Sequence, residues 1–262
     1  MPIDWYASFG DLADWRQPEC YEHLREADRR MFAWEWLRRC PEYRRAWLRH
    51  RNDADGKIAS RVARRFGLAV FEDPASDAFV ARPVWRSEHD PHVVLADAQS
   101  AQTSNAELFD ILQVAPMAHV AIGNEGDEHW LLSNGYWLLR LDIVEGTLLG
   151  GPVLLRFRLE GLASLLPRLQ TLGSLVRLLA APESRFRARA TQRTLRWISE
   201  LRTADALERG ASHREIARGL FGEVAQAGWR LDSDAYRSRV RRLVRAARCR
   251  LNSPLSRDWF DA

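Results

Sequence analysis

The end of this chain carries the pattern that most restricts its fold. Gly210 is predicted to end one helix, and Ser212 with Glu215 three residues later has the spacing of a capping box that starts the next. That next helix has one apolar face, formed by Ile216, Ala217, Leu220 and Phe221. The connector from Phe221 to Asp234 is longer than the three- or four-residue turn of an ordinary helix-turn-helix, so we interpret the segment as a variant of that motif.

The final helix of the pattern separates an apolar face from a basic one. Its inward residues recur at helical spacing: Tyr236, Val240, Leu243, Val244, Ala247 and Leu251. Its outward stripe consists of Arg237, Arg241, Arg245 and Arg248, with Arg239, Arg242 and Arg250 beside it. Such a helix fits the major groove, where arginine binds phosphates or guanine edges. The alternative is an ordinary solvated helix, because the chain is rich in arginine throughout and contains a single lysine, Lys57.

The candidate DNA-binding residues lie on these last two helices. The final helix contributes Arg237, Ser238, Arg241, Arg242, Arg245 and Arg248. His213 and Arg214 begin the preceding helix, where the exposed backbone N–H groups of a helix N-terminus can face a phosphate. The expected partner is double-stranded DNA, bound with a strong dependence on salt.

Charge is distributed unevenly along the chain. The net charge is +4, but residues 1–68 carry +3, residues 69–181 carry −7 and residues 182–262 carry +8. A basic end joined to an acidic middle predicts separate surfaces for separate partners. It argues against a protein that binds every polyanion without selection.

Composition narrows the class of protein further. No apolar run approaches the roughly 18 residues of a membrane span, and no signal peptide is recognisable at the start. Cys20, Cys40 and Cys249 are far apart and form no CxxC pair, so we interpret them as reduced thiols in a cytoplasmic protein. We expect no membrane association and no cofactor.

The chain divides into four predicted segments. Residues 1–68 form a helical, tryptophan-rich domain, and residues 69–105 an acidic linker that contains prolines. Residues 106–181 form a β-rich subdomain followed by a helix, with a hairpin turn at Asn134 and Gly135. Residues 182–262 begin with a basic helix from about Ser184 to Leu201 and contain the helix-turn-helix variant. The expected fold class is α+β, with a helical N-terminal domain, a small antiparallel sheet and a helical C-terminal bundle.

The tryptophans of the N-terminal domain have two interpretations. Large rings allow a small helical domain to bury enough apolar area for a stable core. A surplus exposed ring would instead anchor a protein partner, and the candidates are Trp34, Trp36 and Trp47. We favour the core interpretation for most of them.

Motifs for catalysis are scarce. No GxxxxGK[ST] loop, no GxGxxG after a strand and no GxSxG elbow occurs in the sequence. His89 and His92, with Asp90 and Asp97 nearby, have a spacing that can bind metal, but no second cluster accompanies them, so we interpret them as surface histidines. We therefore do not expect an enzyme, and a nuclease with clustered acidic metal ligands is the least favoured hypothesis.

Two segments resemble a known proteobacterial family of transcriptional regulators. Residues 14–47, which end in WEWLRRCPEYRRAW, resemble its regulator-like N-terminal domain. Residues 141–161 (LDIVEGTLLGGPVLLRFRLEG), 210–222 (GASHREIARGLFG) and 236–245 (YRSRVRRLVR) resemble its C-terminal domain. The family includes FseA-type activators and QseM-type antiactivators, which control integrative and conjugative elements. Because this chain carries both domains, it resembles the activators.

The resemblance implies a transcriptional activator of genes for excision or conjugative transfer of a mobile element. It also implies inhibition by a small antiactivator of the same C-terminal domain type, and a contact with RNA polymerase. The alternative is an antiactivator-like regulator that binds proteins and makes no specific DNA contact of its own. A homodimer would match a palindromic DNA site, although no coiled-coil heptad indicates one.

Overall fold

A computed structural model describes residues 14–53, 56–100, 108–123, 126–181, 191–222, 233–256 and 259–260. These residues form helices and one five-stranded sheet, which confirms the predicted α+β class. Among the helices described, none combines the length and the apolar composition that crossing a membrane requires.

The N-terminal part is helical, as the spacing of its apolar residues predicts. A 3-10 helix spans Pro18–Leu24, and α1 (Arg29–Leu37), α2 (Pro41–His50), α3 (Lys57–Arg65) and the short α4 (Ala78–Ala81) follow it. The Asp28 carboxylate caps α1 by accepting a hydrogen bond from the backbone N–H of Arg30. Pro41 starts α2, because a proline in the first turn removes only an N–H that has no partner within the helix.

The sheet occupies the middle of the chain. Its strands are β1 (Val94–Gln99), β2 (Ala118–Ile122), β3 (Glu128–Ser133), β4 (Leu138–Glu145) and β5 (Leu154–Arg158), and a 3-10 helix over Ile111–Met117 precedes β2. The strand order is β2-β3-β4-β1-β5. The predicted hairpin turn joins β3 to β4, and Gly135 supplies the positive φ of +90° that this turn requires.

Four further helices complete the fold: α5 (Leu162–Ala180), α6 (Gln192–Glu208), α7 (His213–Phe221) and α8 (Ser233–Asn252). The inner face of α5 packs on the sheet, where Leu175 and Leu178 join the apolar side chains of β1, β3 and β4 in one core. The other three helices pack on each other, and α6 and α8 also pack on α1. The N-terminal helices are therefore in contact with the C-terminal helices and do not form a separate domain.

One hydrophobic core joins the two ends of the chain. It contains Trp34 and Trp36 from α1, Trp197 and Leu201 from α6, Ala247 from α8 and the C-terminal Trp259. The rings of Trp197 and Trp259 lie edge to face with 4.8 Å between their centroids, a favoured geometry for aromatic pairs.

Buried arginines add polar links between distant parts of the chain. Arg39, just after the end of α1, donates two hydrogen bonds, of 2.6 and 2.8 Å, to the Asp205 carboxylate of α6, which also accepts one of 2.6 Å from the Tyr21 hydroxyl. Arg140 of β4 donates to the backbone carbonyl of Trp85 at 2.9 Å. These pairs hold the sheet and α6 against the N-terminal helices.

The segment 69–105 differs from the predicted linker wherever the structure describes it. Phe71, Val84 and Trp85 lie in the core, and residues 94–99 form β1 between β4 and β5. Two of the acidic residues that suggested a solvated linker have arginine partners, since Asp90 lies 3.2 Å from Arg30 and Asp97 lies 2.7 Å from the Arg158 guanidinium. Charge composition alone does not separate a linker from a paired, buried segment.

The sheet is mixed and not antiparallel as predicted. Strand β1 pairs in parallel with β4 and antiparallel with β5, while the other pairs are antiparallel. The prediction missed the parallel pair because β1 comes from the segment assigned to the linker.

The basic helix predicted from Ser184 to Leu201 also has different bounds. Residues 182–190 lie outside the described residues, and α6 begins at Gln192, after Thr191 accepts a capping hydrogen bond from the backbone N–H of Thr194. The helix continues to Glu208, so it includes the first helix of the predicted helix-turn-helix.

Candidate nucleic-acid interface

The turn between α6 and α7 has the predicted structure. Gly210 adopts a φ of +72°, which ends α6, and the backbone N–H of Ala211 donates to the carbonyl of Ala206 at 2.9 Å. Ser212 and Glu215 form the reciprocal capping box, with the Ser212 N–H 2.8 Å from the Glu215 carboxylate. These hydrogen bonds also lower the pKa of Glu215. The capping box confirms the predicted start of α7.

Helices α6, α7 and α8 meet in a small apolar core of their own. Its buried members are Trp15, Ala206, Ile216, Ala217, Val240 and Val244. Ile216 and Ala217 belong to the predicted apolar face of α7, and Val240 and Val244 to the predicted inner face of α8. The apolar periodicity of both helices therefore determines which faces pack together.

Trp15 is a part of this core that the sequence interpretation did not assign to it. Its ring lies so close to α7 that a Cβ added to Gly219 would be 2.2 Å from a ring carbon. The Arg202 guanidinium of α6 bridges the two segments, because it donates hydrogen bonds to the carbonyl of Trp15 at 2.8 Å and to that of Gly219 at 3.0 Å. A residue from the start of the chain thus positions α7 relative to α6. The only sequence signal is Gly219 inside a predicted helix, where a glycine indicates a close approach.

The outer face of α8 is exposed from Arg237 to Arg248. The predicted side chains Arg237, Ser238, Arg241, Arg242, Arg245 and Arg248 are all exposed, as are His213 and Arg214 in the first turn of α7. Within the described residues, Arg241, Arg242, Arg245 and Arg248 take part in no ion pair. Because no described carboxylate neutralises them, they create a positive face opposite the buried face.

Two arginines beside this stripe have structural partners. Arg250 binds the buried carboxylate of Glu200 at 2.7 Å, and its guanidinium stacks on Trp259 at 4.4 Å from the ring centroid. Arg239 stacks on Phe221 of α7 at 4.4 Å. These contacts attach α8 to α6 and α7.

A groove of about 640 Å³ runs between α6 and α8. Arg196 of α6 lines one wall, Arg239 and Arg242 of α8 line the other, and Phe221 lines the end. The sequence interpretation missed the contribution of α6, because helical periodicity does not reveal which two helices face each other.

The connector between Phe221 and Asp234 falls mostly on residues 223–232, outside the described residues. Asp232 also lies there, while Ser233 is the first residue of α8.

The tryptophans offered as partner anchors require a correction. Trp34 and Trp36 have no exposed surface, and the indole N–H of Trp34 donates to the Ser76 carbonyl at 3.0 Å. Trp47 is half-buried, and its ring packs on Phe71 with 5.1 Å between centroids. Trp34 and Trp36 therefore present no surface to a partner, because both rings are buried in the hydrophobic core.

The residues near His89 and His92 have other partners. The Asp90 carboxylate is buried and binds Arg30, and it accepts a hydrogen bond from the backbone N–H of His92 at 3.0 Å. Across the described residues, no group of three or more His, Cys, Asp or Glu side chains has an arrangement that could hold a metal ion.

Comparison with known families agrees with this geometry. The model of a proteobacterial transcriptional regulator-like domain matches residues 14–70, which include α1 to α3. A second model, described as "T6SS, Transcription factor, DNA binding domain", matches residues 159–251, which include α5 to α7 and nearly all of α8. A search among curated proteins found no match. The two matches support a DNA-binding transcription regulator whose N-terminal part is similar to a proteobacterial regulator-like domain.

Proposed function

We propose that α8 and the first turn of α7 bind double-stranded DNA, with α8 in the major groove. The observation that carries this proposal is the exposed arginine face of α8, which has a buried apolar face behind it and on which Arg241, Arg242, Arg245 and Arg248 form no ion pair with a described carboxylate. The proposed contacts are His213, Arg214, Arg237, Ser238, Arg241, Arg242, Arg245 and Arg248. Guanidinium groups bind phosphates and the O6 and N7 acceptors of guanine, so one face can supply both affinity and sequence recognition.

The roles within this surface follow from position along the helix. Arg241 and Arg245 are one turn apart near the middle of α8, so they are the proposed base contacts. His213 and Arg214 lie at the N-terminus of α7, where free backbone N–H groups favour a phosphate. Arg196, across the groove from Arg242, binds Glu200 at 2.9 Å through its Nε and is 71% exposed, so it is a further proposed phosphate contact on α6.

The regulatory role is proposed from the resemblance in the sequence. It is that of an activator of genes for excision or conjugative transfer of a mobile element, which recruits RNA polymerase and is inhibited by a small antiactivator. The matching DNA-binding family carries T6SS in its description, so genes of that system are the competing set of targets. A regulator that only binds other proteins is the alternative in which α8 meets an acidic partner.

Genome-wide footprinting of the tagged protein, beside an Arg241→Ala/Arg245→Ala variant, tests the proposal. We expect peaks at a few promoters that the variant loses, because each lost base contact weakens specific binding by about 1–3 kcal/mol. The promoters recovered distinguish transfer genes from T6SS genes. Thr191→Ala is the matched control, since Thr191 caps α6 from a position off the arginine face.

Purified protein gives the decisive readout. Fluorescence anisotropy on a recovered promoter fragment, repeated over a salt series, measures the affinity and its dependence on counterion release. A folded double variant with unchanged promoter affinity would exclude α8 as the reading helix. Weak, salt-insensitive DNA binding by the parent chain, with a small protein copurifying, would instead favour the protein-binding alternative.

A further inference from the structure

Helix α5 exposes an apolar stripe on the face turned away from the sheet. Leu162 is 89% exposed, Leu166 63%, Leu169 47% and Val176 66%. Gly173 and Ala180, which lie on the same stripe, are exposed too. Soluble chains rarely expose large apolar side chains in a continuous row, so such a row indicates a covered surface.

The stripe has the spacing of a helix–helix seam. Leu162, Leu169 and Val176 are seven residues apart, as are Leu166, Gly173 and Ala180. A repeat of seven keeps two positions per heptad facing a partner helix. At 19 residues, α5 is about 28 Å long, enough for two and a half heptads. The inner face is already occupied, since Leu175 and Leu178 pack on the sheet and Thr171 donates to the His92 carbonyl at 2.9 Å.

The large and small residues of the stripe are at opposite ends. Leu162 and Leu166 occupy its first half, whereas Gly173, Val176 and Ala180 occupy its second half. If a second α5 runs antiparallel with its two-fold axis near the middle of the helix, each large residue faces a small one. Leu162 then meets Ala180 of the second copy, Leu166 meets Val176, and Leu169 meets Gly173. A parallel pair would place the small residues together and leave a gap.

The charges at the ends of α5 match the same arrangement. Helix α5 contains no Asp or Glu, and its two charged residues are Arg168 and Arg177. Glu160 is exposed just before the helix, and Arg177 is exposed near its end. An antiparallel pair brings Arg177 of one copy toward Glu160 of the other, and it also opposes the helix dipoles favourably. A parallel pair would set Arg177 beside Arg177.

From these observations we propose that α5 is the interface through which two copies of this chain form an antiparallel, two-fold dimer. Each copy then uses the same patch, which closes the assembly. The dimer sets two copies of the arginine face of α8 at a defined spacing, although the interface itself needs no DNA. A homodimer was compatible with the sequence, but only the exposure of α5 identifies where it forms.

Sedimentation equilibrium of the full chain without DNA tests the dimer. We expect a reversible dimer whose Kd rises at least about tenfold in Leu166→Glu and in Leu169→Glu, with the double variant monomeric, because each charge enters the apolar seam. Leu112→Glu is the matched control, since Leu112 is 72% exposed on the 3-10 helix before β2 and should leave the dimer unchanged. Both Leu positions are at the surface, and thermal melts verify that the variants fold.

A charge exchange tests the orientation. Glu160→Arg and Arg177→Glu should each weaken the dimer, and the two changes together should restore it. A parent chain that stays monomeric, or an assembly that persists unchanged in the Leu166→Glu/Leu169→Glu variant, overturns the interface. Failure of the double exchange to restore affinity overturns the antiparallel arrangement.

Discussion

Arginine occupies two opposite environments in this molecule. Arg39 and Arg140 are buried, and each guanidinium meets a carboxylate, that of Asp205 in one case and of Asp142 in the other. Arg241 and Arg245 on α8 are exposed and have no ion-pair partner among the described residues. The same side chain therefore holds the fold together in one region and carries an uncompensated charge in the other. The two roles differ because carboxylates lie beside the buried arginines and not beside these exposed ones.

The physical chemistry of the two regions differs accordingly. Removing one partner from a buried ion pair leaves the other charge without water, which costs several kcal/mol. Truncating an exposed arginine changes the free energy of unfolding little, because water already solvates its charge. The buried set should therefore control stability, and the exposed set should control binding to polyanions.

The largest expected effect comes from removing the shared carboxylate of Asp205. Asp205→Ala removes one of the two buried carboxylates that bind Arg39 and the acceptor of the Tyr21 hydroxyl, so we expect a loss of about 3–5 kcal/mol in the free energy of unfolding. Urea denaturation followed by circular dichroism measures it. Arg241→Ala is the matched control, expected within about 0.5 kcal/mol of the parent. Equal losses in the two variants would remove the distinction between the regions.

The second-largest expected effect is a loss of stability in acid, which arises from the buried carboxylates. Burial would raise the pKa of Glu35, but the guanidinium groups of Arg38 and Arg39 outweigh it and lower the pKa to about 2. Between pH 2 and the ordinary value near 4.5, the folded state thus binds fewer protons than the unfolded chain, so stability is lost as the pH falls. Full loss amounts to about 3 kcal/mol for this one group.

Unfolding free energies measured at several pH values check this expectation. Asp28 and Asp142, whose carboxyl pKa values are also lowered, should steepen the same acid loss. The variant Glu35→Gln has no proton to gain at this position, so its stability should vary less with pH below 4.5. A variant with the same acid dependence as the parent would contradict the assignment.

The smallest effect on stability is expected at the end of the arginine face. Arg248→Ala should change the free energy of unfolding by less than about 0.5 kcal/mol. If Arg248 binds a phosphate, the slope of the logarithm of DNA affinity against the logarithm of salt concentration should fall by about 1. Anisotropy over a salt series measures the slope, and Arg250→Ala offers a sharp contrast. Because Arg250 binds buried Glu200, its loss should lower stability clearly more than the loss of Arg248.

Local features of the candidate interface were predictable because they depend on neighbours within one or two turns. The Ser212–Glu215 capping box, the positive φ of Gly210 and the buried face of α8 all follow from residues close in sequence. The contribution of Trp15 was not predictable in this way. Its partners Arg202 and Gly219 are nearly 200 residues away, and no spacing rule connects them.

The middle of the chain illustrates the same limit. Strand β1 follows Pro74, Pro83 and Pro91 and has acidic neighbours, a composition that suggested a linker. Its place between β4 and β5 depends on strands that come 40 or more residues later. The acidic residues are tolerated there because Arg30 and Arg158 approach from elsewhere in the fold. The sequence could therefore predict that strands are present, but not their order or pairing in the sheet.

The amino-acid sequence by itself determined the end of α6 at Gly210, the capping box of α7 and the amphipathic division of α8, since hydrogen bonding and periodicity act over a few residues. Only the tertiary structure decided which arginines are buried, which tryptophans are covered and which face of α5 is left without a partner. Those outcomes depend on distant side chains meeting in space, because burial of charge and of apolar area is set by the whole fold. A stripe of leucines on α5 looks the same in the sequence whether it faces a sheet or solvent.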